Sequence, residues 1–406
     1  MKRVVILCVW LFSVVAGHAQ LSLDECRRLA RENYPEIRQY DLVHQTEQYN
    51  LSNAARAWIP QLAFSAQATW QTDAPNFPKE LTGMLAQQGL EIPGLRKDQY
   101  KVALELNQTI WDGGKSVADK RIARAEAAEQ KTMTDVDLYE LEGRVDDLYF
   151  GILLLDERIA QTNLTLNLLR SNLEKVRALQ RNGVAMQSDA DVLEAELLSV
   201  GQQLIQFESS CDSYRRMLGI FIGQKVGDRK LQRPSAVQPL SGESARPELA
   251  MFAAKIDRLT AQEKMVKSSS MPRLGFFAQG YYGYPGLDYM QGMMNSDWSW
   301  NAMLGVKLSW NFGAYYTQKN NLDKLRTSRQ QVEVQRDVFL FNMNLQAAQE
   351  NGDIARLRKA IADDDRIVAL RRSVREAAES KLRNGIIDTH DLLSKITDES
   401  TASMAR

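Results

Sequence analysis

Cysteine and histidine are nearly missing from this chain, with three of each in 406 residues. That is too few for a disulfide-built scaffold or a Cys/His metal cluster. Proline is also scarce, at ten, so little interrupts long helices. Neither charge is in surplus: 51 Lys and Arg meet 51 Asp and Glu. That balance excludes a broadly basic nucleic-acid binder. No stretch approaches 18 consecutive apolar residues, so no transmembrane helix is expected. The signatures of catalysis are absent too: no phosphate-cradling glycine loop, no G-x-S-x-G elbow and no H-E-x-x-H. The sequence therefore points to no enzyme, cofactor or metal. Apolar residues at 44% and charged residues at 25% are those of an ordinary folded protein.

The N-terminus carries an address. Lys2 and Arg3 precede an apolar run from Val4 to Ala16, and Gly17-His18-Ala19 supplies small residues for cleavage before Gln20. Residues 1–19 are read as a secretory signal. The apolar run is too short to cross a hydrocarbon core of ~30 Å. No Cys follows the cleavage point, which argues against an acyl-lipid anchor. An exported chain without an apolar helix can enter a membrane only through strands.

Four landmarks recur in the same order in both halves. Pro35-Glu36 and Pro60 return 212 residues later as Pro247-Glu248 and Pro272. Trp111-Asp112-Gly113-Gly114 returns as Trp310-Asn311-Phe312-Gly313, and Arg181-Asn182-Gly183 as Arg383-Asn384-Gly385. Such order indicates a duplicated unit. The expected organisation is a first repeat over 20–222, a linker over 223–245 rich in turn signals, and a second repeat over 246–406. After Gly183 the first copy continues for about 40 residues, against 21 after Gly385. The last helix is therefore expected to stop short of its counterpart, as a fragment would.

Two periodicities run through each repeat. Leu138, Leu141, Val145, Leu148, Ile152, Leu155, Ile159, Thr162, Leu166, Leu169, Leu173 and Val176 follow one another at spacings of three and four. Leu193, Leu197, Val200, Leu204, Phe207, Cys211, Tyr214, Leu218 and Phe221 do the same after the turn. That is a coiled-coil seam. Long helices are expected over about 114–181 and 314–383, ~100 Å each at 1.5 Å per residue, too long for a compact globule. The second seam, Val334, Val338, Phe341, Leu345 and Ala348, is less regular. Ahead of each helix the period falls to two. Leu62, Phe64, Ala66, Ala68 and Trp70 alternate with polar or small residues, and so do Tyr100, Val102, Leu104 and Leu106. Strands are expected over about 61–72, 100–112, 273–284 and 298–312. Alternation over about ten residues marks a barrel strand with one face to lipid and the other to water. Trp300 and Trp310 lie ~33 Å apart along their strand; with Trp70 and Trp111 they suit the two membrane interfaces, where aromatic girdles sit.

Four strands do not close a transmembrane barrel, which needs at least about eight. Open edges in lipid leave backbone groups unpaired. Several chains must share one barrel; three would give twelve strands, and two or four remain open from strand count alone.

The chain resembles the TolC family of bacterial outer-membrane efflux proteins over essentially its whole mature length. The resemblance rests on Leu21-Ser22-Leu23-Asp24-Glu25-Cys26 through Asn33-Tyr34-Pro35-Glu36, on Ala57-Trp58-Ile59-Pro60, on Trp111-Asp112-Gly113-Gly114, and on Arg181-Asn182-Gly183 to Leu193. It implies a mainly α fold with β-strands: a homotrimer with a shared twelve-stranded barrel in the outer membrane and a periplasmic helical tunnel. It implies a passive exit duct in a tripartite efflux system, partnered by a periplasmic adaptor and, through it, an inner-membrane pump. The alternative from another class is a periplasmic coiled-coil adaptor or structural rod outside the membrane, though adaptors carry one helical hairpin and this chain has two.

By resemblance, Arg181, Asn182, Gly183, Val184 and Ala185, with Arg383, Asn384, Gly385, Ile386 and Ile387, form the tip that meets the adaptor, exposing small apolar patches. The plainer reading is an ordinary hairpin turn, which also favours glycine. Asp189 and Asp391 fall six residues after the turn glycines, where family members narrow their tunnel. Asp391 matches one carboxylate of the family's acidic ring, while Ser394 replaces a second. Family aspartates at the Asp189 position can be clasped by polar gate partners; here those positions are Leu382 and Ile387, so that lock is expected to be missing. The plainer reading of both acids is a helix first turn that favours negative charge. Asp363-Asp364-Asp365 reads as a solvated face, and His44 and His390 as lone side chains. Cys26 and Cys211 remain in the mature chain with their pairing open.

Overall fold

The computed structural model describes residues 20–235 and 245–406. Residues 1–19, expected to be a secretory signal, and residues 236–244, within the expected linker, lie outside the described residues. Contacts divide the chain into two compact units. One takes the chain up to Gln39, Met133–Pro247 and Arg336–Arg406; the other takes Tyr40–Thr132 and Glu248–Gln335.

The second unit is built on one sheet of four strands: β1 (Gln61–Trp70), β2 (Asp98–Trp111), β3 (Arg273–Tyr284) and β4 (Ser299–Ser309). They pair antiparallel in the order β1-β2-β3-β4, so the central pair joins the two halves of the sequence. The register aligns the apolar positions: Leu62 with Leu106, Ala278 and Leu304, and Ala66 with Val102, Tyr282 and Trp300. Every second residue points to the same side of a strand. One face is therefore apolar apart from Asp98 and Gln108 towards the two ends of β2, and on it Phe64, Leu104, Leu304 and Val306 stay exposed. The other face carries Lys101, Glu105, Asn107, Gln279, Asn301 and Lys307. There Lys101 Nζ donates to Gln279 Oε1 at 3.0 Å and Asn107 Nδ2 to Glu105 Oε1 at 2.9 Å. Among the described residues, β1 and β4 are free edges.

Helices enter and leave at one end of this sheet. At the other end lie the hairpin segments 71–97 and 285–298, which hold short helices α3 (Lys79–Gln87) and, later in the chain, a single turn and a half at Tyr289–Met294. Neither is signalled by periodicity. The expected windows for β2 and β4 differ at their ends: β2 starts two residues earlier than expected, at Asp98, and stops at Trp111 rather than 112, while the β4 window is four residues too long, with Trp298 before the strand and Trp310, Asn311 and Phe312 beyond its end. Trp310 leaves the sheet because its indole N–H donates to the Ser270 carbonyl at 3.0 Å.

The first unit is helical. It starts with α1 (Leu23–Asn33), capped by the Ser22 hydroxyl, which accepts from Glu25 N–H. A 3-10 turn at Pro35–Arg38 leads to α2 (Gln39–Arg56), because Pro35 forces a break between the two. The long helices are α4 (Lys115–Arg181, 67 residues) and, in the second half, Gly313–Arg383 of 71 residues. Between them come α5 (Gln187–Ile222) and α6 (Pro247–Ser269); α2 and α6 fall almost wholly in the sheet-bearing unit, and the two long helices contribute to both units. With α7 as the turn at Tyr289–Met294, the second long helix is α8 and the last helix is α9 (Thr389–Ala405).

Two cores hold this unit. In one, Leu138, Leu141, Val145, Tyr149 and Ile152 of α4 are buried, as are Cys26, Ala30 and Leu218. Arg27 on α1 makes a fork with Asp146 at 2.7 and 2.5 Å, a geometry guanidinium and carboxylate share. The Tyr149 hydroxyl contacts the carbonyls of Leu21 and Gln232 at 2.7 and 2.5 Å. It thereby ties the segment just ahead of α1 to the segment after α5, where Leu21 bridges Leu231. Burial pushes the Tyr149 phenol up to about 12 and the Cys26 thiol up to about 12. Cys26 and Cys211 are both buried free thiols. In the other core, Leu166, Leu169, Leu173 and Val176 of α4 meet Leu193 and Val200 of α5, Ala378 of α8, and Leu392 and Ile396 of α9. Both helical hairpins share it. Thr162, the one polar seam position, is fully buried and donates its hydroxyl to the Arg158 carbonyl at 2.7 Å.

Candidate functional site

The two turns are built alike, bond for bond. At the end of α4, Gly183 N–H donates to the Gln180 carbonyl and Val184 N–H to the Leu179 carbonyl, both at 2.9 Å. At the end of α8, Gly385 N–H donates to Leu382 at 3.0 Å and Ile386 N–H to Lys381 at 2.9 Å. This is the paired capping pattern of a helix closed by a left-handed residue. Gly183 has φ +73° and Gly385 φ +68°. Only glycine adopts that backbone without strain.

Exposure divides the ten turn residues. Arg181, Asn182, Arg383 and Asn384 face solvent, with Val184 at 71% and Ile386 at 68%. Ala185 and Ile387 were expected in the same exposed patch. Instead both pack against the shared hairpin core, because each is the residue that staples its turn to the returning helix. Each turn thus presents one exposed aliphatic side chain, beside an Arg and an Asn. Leu382 lies against the same apolar cluster.

The two carboxylates differ in use. Asp189 Oδ2 accepts from the Met186 N–H at 2.8 Å, so this acid caps α5. On α9 the cap is Asp388, whose Oδ1 accepts from the Asp391 N–H at 2.8 Å. Asp391 itself is exposed. Sequence reasoning placed both acids at the constriction and missed Asp388; an acid three residues before another at a helix start was the available signal. Asp365 of the acidic run accepts from Arg406 at 2.6 Å. Also missed was the cluster around Arg375, which donates to Glu379 and Glu399 at 2.6 and 2.5 Å with all three side chains largely buried. It pins α8 to α9 just behind the turn.

Aromatic side chains gather at both ends of the sheet. At the hairpin end, Trp298 stacks on Tyr100 with ring centroids 5.7 Å apart, and Tyr282 lies 5.0 Å from Trp300. Trp70 belongs to the same end and is 71% exposed. At the helix end, Trp111 closes β2 and Trp310 packs on Phe312 at 4.8 Å. On α8 Val334, Val338, Phe341 and Leu345 are exposed, a seam that no element among the described residues covers.

Among the described residues no cluster of His, Cys, Asp and Glu could hold a metal, and no helix is long and apolar enough to cross a membrane.

Residues 27–223 match the family model described as outer membrane efflux protein. The fold of nearly the whole chain recurs in solved structures. It is similar to the outer membrane protein VceC of Vibrio cholerae, at 15% identity and TM-score 0.67, covering 94% of this chain and 91% of that one. It is similar to the outer-membrane channel OprN, at 14% identity and TM-score 0.70, covering 94% and 85%. It is also similar to the Campylobacter jejuni CmeC outer membrane channel, at 15% identity and TM-score 0.62, covering 94% and 81%. No curated protein matches the sequence.

Proposed function

We propose that this chain, whose residues 27–223 belong to the outer membrane efflux protein family, is one of three subunits of an outer-membrane exit duct. The single observation that supports the assembly is the sheet. Its apolar face is exposed along all four strands while its other face is polar, and both edges are free. A soluble sheet covers its apolar face; a membrane strand turns it to lipid and keeps polar groups inside. Free edges in lipid cost several kcal/mol for each unpaired backbone group, and closure removes them. Joining β1 of one copy to β4 of the next closes the ring, and three copies give twelve strands. From Ser299 to Ser309 the strand β4 rises ~33 Å. A tilt of about 40° brings this to ~25 Å, the height of an outer-membrane apolar band. The two aromatic groups then sit at the two interfaces.

The uncovered seam on α8 supports the same reading below the membrane, since exposed apolar stripes of this size mark contact surfaces. Neighbouring copies would cover it. Arg181 to Ala185 and Arg383 to Ile387 form the periplasmic tip, with Val184 and Ile386 as the apolar points offered to an adaptor. Asp391 is the carboxylate assigned to the narrow end of the duct; Asp189 has its charge engaged in a cap. The duct needs no chemistry of its own, since an inner-membrane pump behind the adaptor would supply the energy.

The test is fractionation. The mature protein should sediment with outer membranes and stay there through carbonate and urea washes. Release into the periplasmic fraction would favour the adaptor-like rod instead.

A further inference from the structure

Segment 285–298 does not extend away from the sheet. It folds back over the polar face. The Leu287 N–H donates to Asn301 Oδ1 at 2.7 Å, and Asn301 belongs to the polar row of β4, opposite Tyr281. Gly286 is buried so closely against Ser299 and Asn301 that an added Cβ would stand 2.2 Å from the Ser299 hydroxyl. On this same face Ala103 and Tyr281 are 2% and 7% exposed, although the opposite side of these strands lies open.

The fold-back is held from its far side as well. Gly94 N–H in the first hairpin segment donates to the Met293 carbonyl at 3.1 Å. The Tyr284 hydroxyl accepts from Arg96 N–H at 2.9 Å and donates to the Gly292 carbonyl at 3.1 Å. Sheet and neighbouring hairpin together fix the segment in place.

Its outward side chains are the wrong kind for a wet interior. Leu287, Tyr289 and Met290 are 49%, 56% and 58% exposed, and all lie on the part of the segment anchored over the polar face. We infer that this segment is an apolar constriction at the outer mouth of the duct, completed by the same segment of the other two copies. The occupant of each exposed patch is thus a second copy of this chain. The inference rests on the trimeric barrel proposed above, because only there does the polar face line a lumen. Apolar rings of this kind resist the passage of hydrated ions by drying out, so the outer mouth would limit conductance independently of the periplasmic tip.

The experiment is single-channel recording of the full-length protein in planar bilayers. The variant Leu287→Ser/Tyr289→Ser/Met290→Ser keeps every backbone anchor and should raise conductance about twofold or more. Asn301→Ala keeps the apolar side chains but releases the Leu287 N–H, and should lengthen open periods. If the parent has the mass of three chains and both variants record as the parent does, the constriction is overturned and the barrel stands. If the parent is not trimeric, both readings fall.

Discussion

Replacing Gly183 or Gly385 by valine should weaken export without removing the protein from the outer membrane. A Cβ added at either position meets no atom within 4 Å, so crowding contributes nothing. What remains is backbone strain at φ +73° and +68°. An L-residue held there costs roughly 1–2 kcal/mol, and a β-branched one sits at the upper end. The hairpins behind the turns have more than that in reserve: truncating one fully buried leucine of their core, Leu392, would itself cost ~2–5 kcal/mol. The hairpins therefore survive, while the turn relaxes and gives up the bonds from Val184 or Ile386 that set its exposed side chain. The strands belong to the other compact unit, so insertion has no reason to fail. Asparagine tolerates the left-handed conformation, so Gly183→Asn and Gly385→Asn should export nearly as well as the parent. The assay compares efflux with the amount of heat-modifiable trimer in the outer-membrane fraction. Two results would refute the reasoning: valine variants missing from the membrane, or asparagine variants as defective as valine.

On the sheet, Leu304→Arg should destabilise by ~2–4 kcal/mol as a charge facing lipid, while Lys307→Gln on the polar face should change stability little; urea unfolding from vesicles that ranks them equally would contradict the assignment of faces. Tyr149→Phe should cost ~1–3 kcal/mol, since the Gln232 carbonyl loses the buried hydroxyl that contacts it at 2.5 Å. The same phenol is pushed from 10.0 up to about 12, so its stabilisation is complete below pH 10 and fades between pH 10 and 12; a parent and a Phe variant losing stability in parallel there would show the phenol is not responsible. Asp391→Asn leaves the cap from Asp388 intact and should lower cation preference in single-channel recordings, whereas Asp189→Asn should mainly weaken the α5 cap by ~1 kcal/mol; unchanged selectivity for Asp391→Asn would remove that residue from the pore.

What the sequence makes legible is set by local periodicity. Leu62, Phe64, Ala66 and Ala68 must alternate because the two sides of β1 meet different surroundings, and that demand is written in the residues themselves. The Leu138–Val176 seam is readable for the same reason, since one stripe of α4 is buried over its length. The turn glycines show because no other residue takes their φ without strain. What stays hidden depends on contacts between distant segments. Ala185 and Val184 are neighbours of similar character, yet one faces the hairpin core and the other solvent. Asp189 and Asp391 occupy matching places, but whether a carboxylate or its neighbour three residues earlier closes the cap is decided by side-chain geometry. The fold-back of 285–298 depends on Asn301 and on Gly94 in another hairpin, and no period reports a segment held that way.

The claim on which the rest depends is that one chain supplies a third of a closed barrel, and the native mass of the detergent-extracted protein tests it directly. The account predicts a single folded species with the mass of three mature chains. A stable, folded monomer in detergent, with its β1 and β4 edges unpaired, would contradict it.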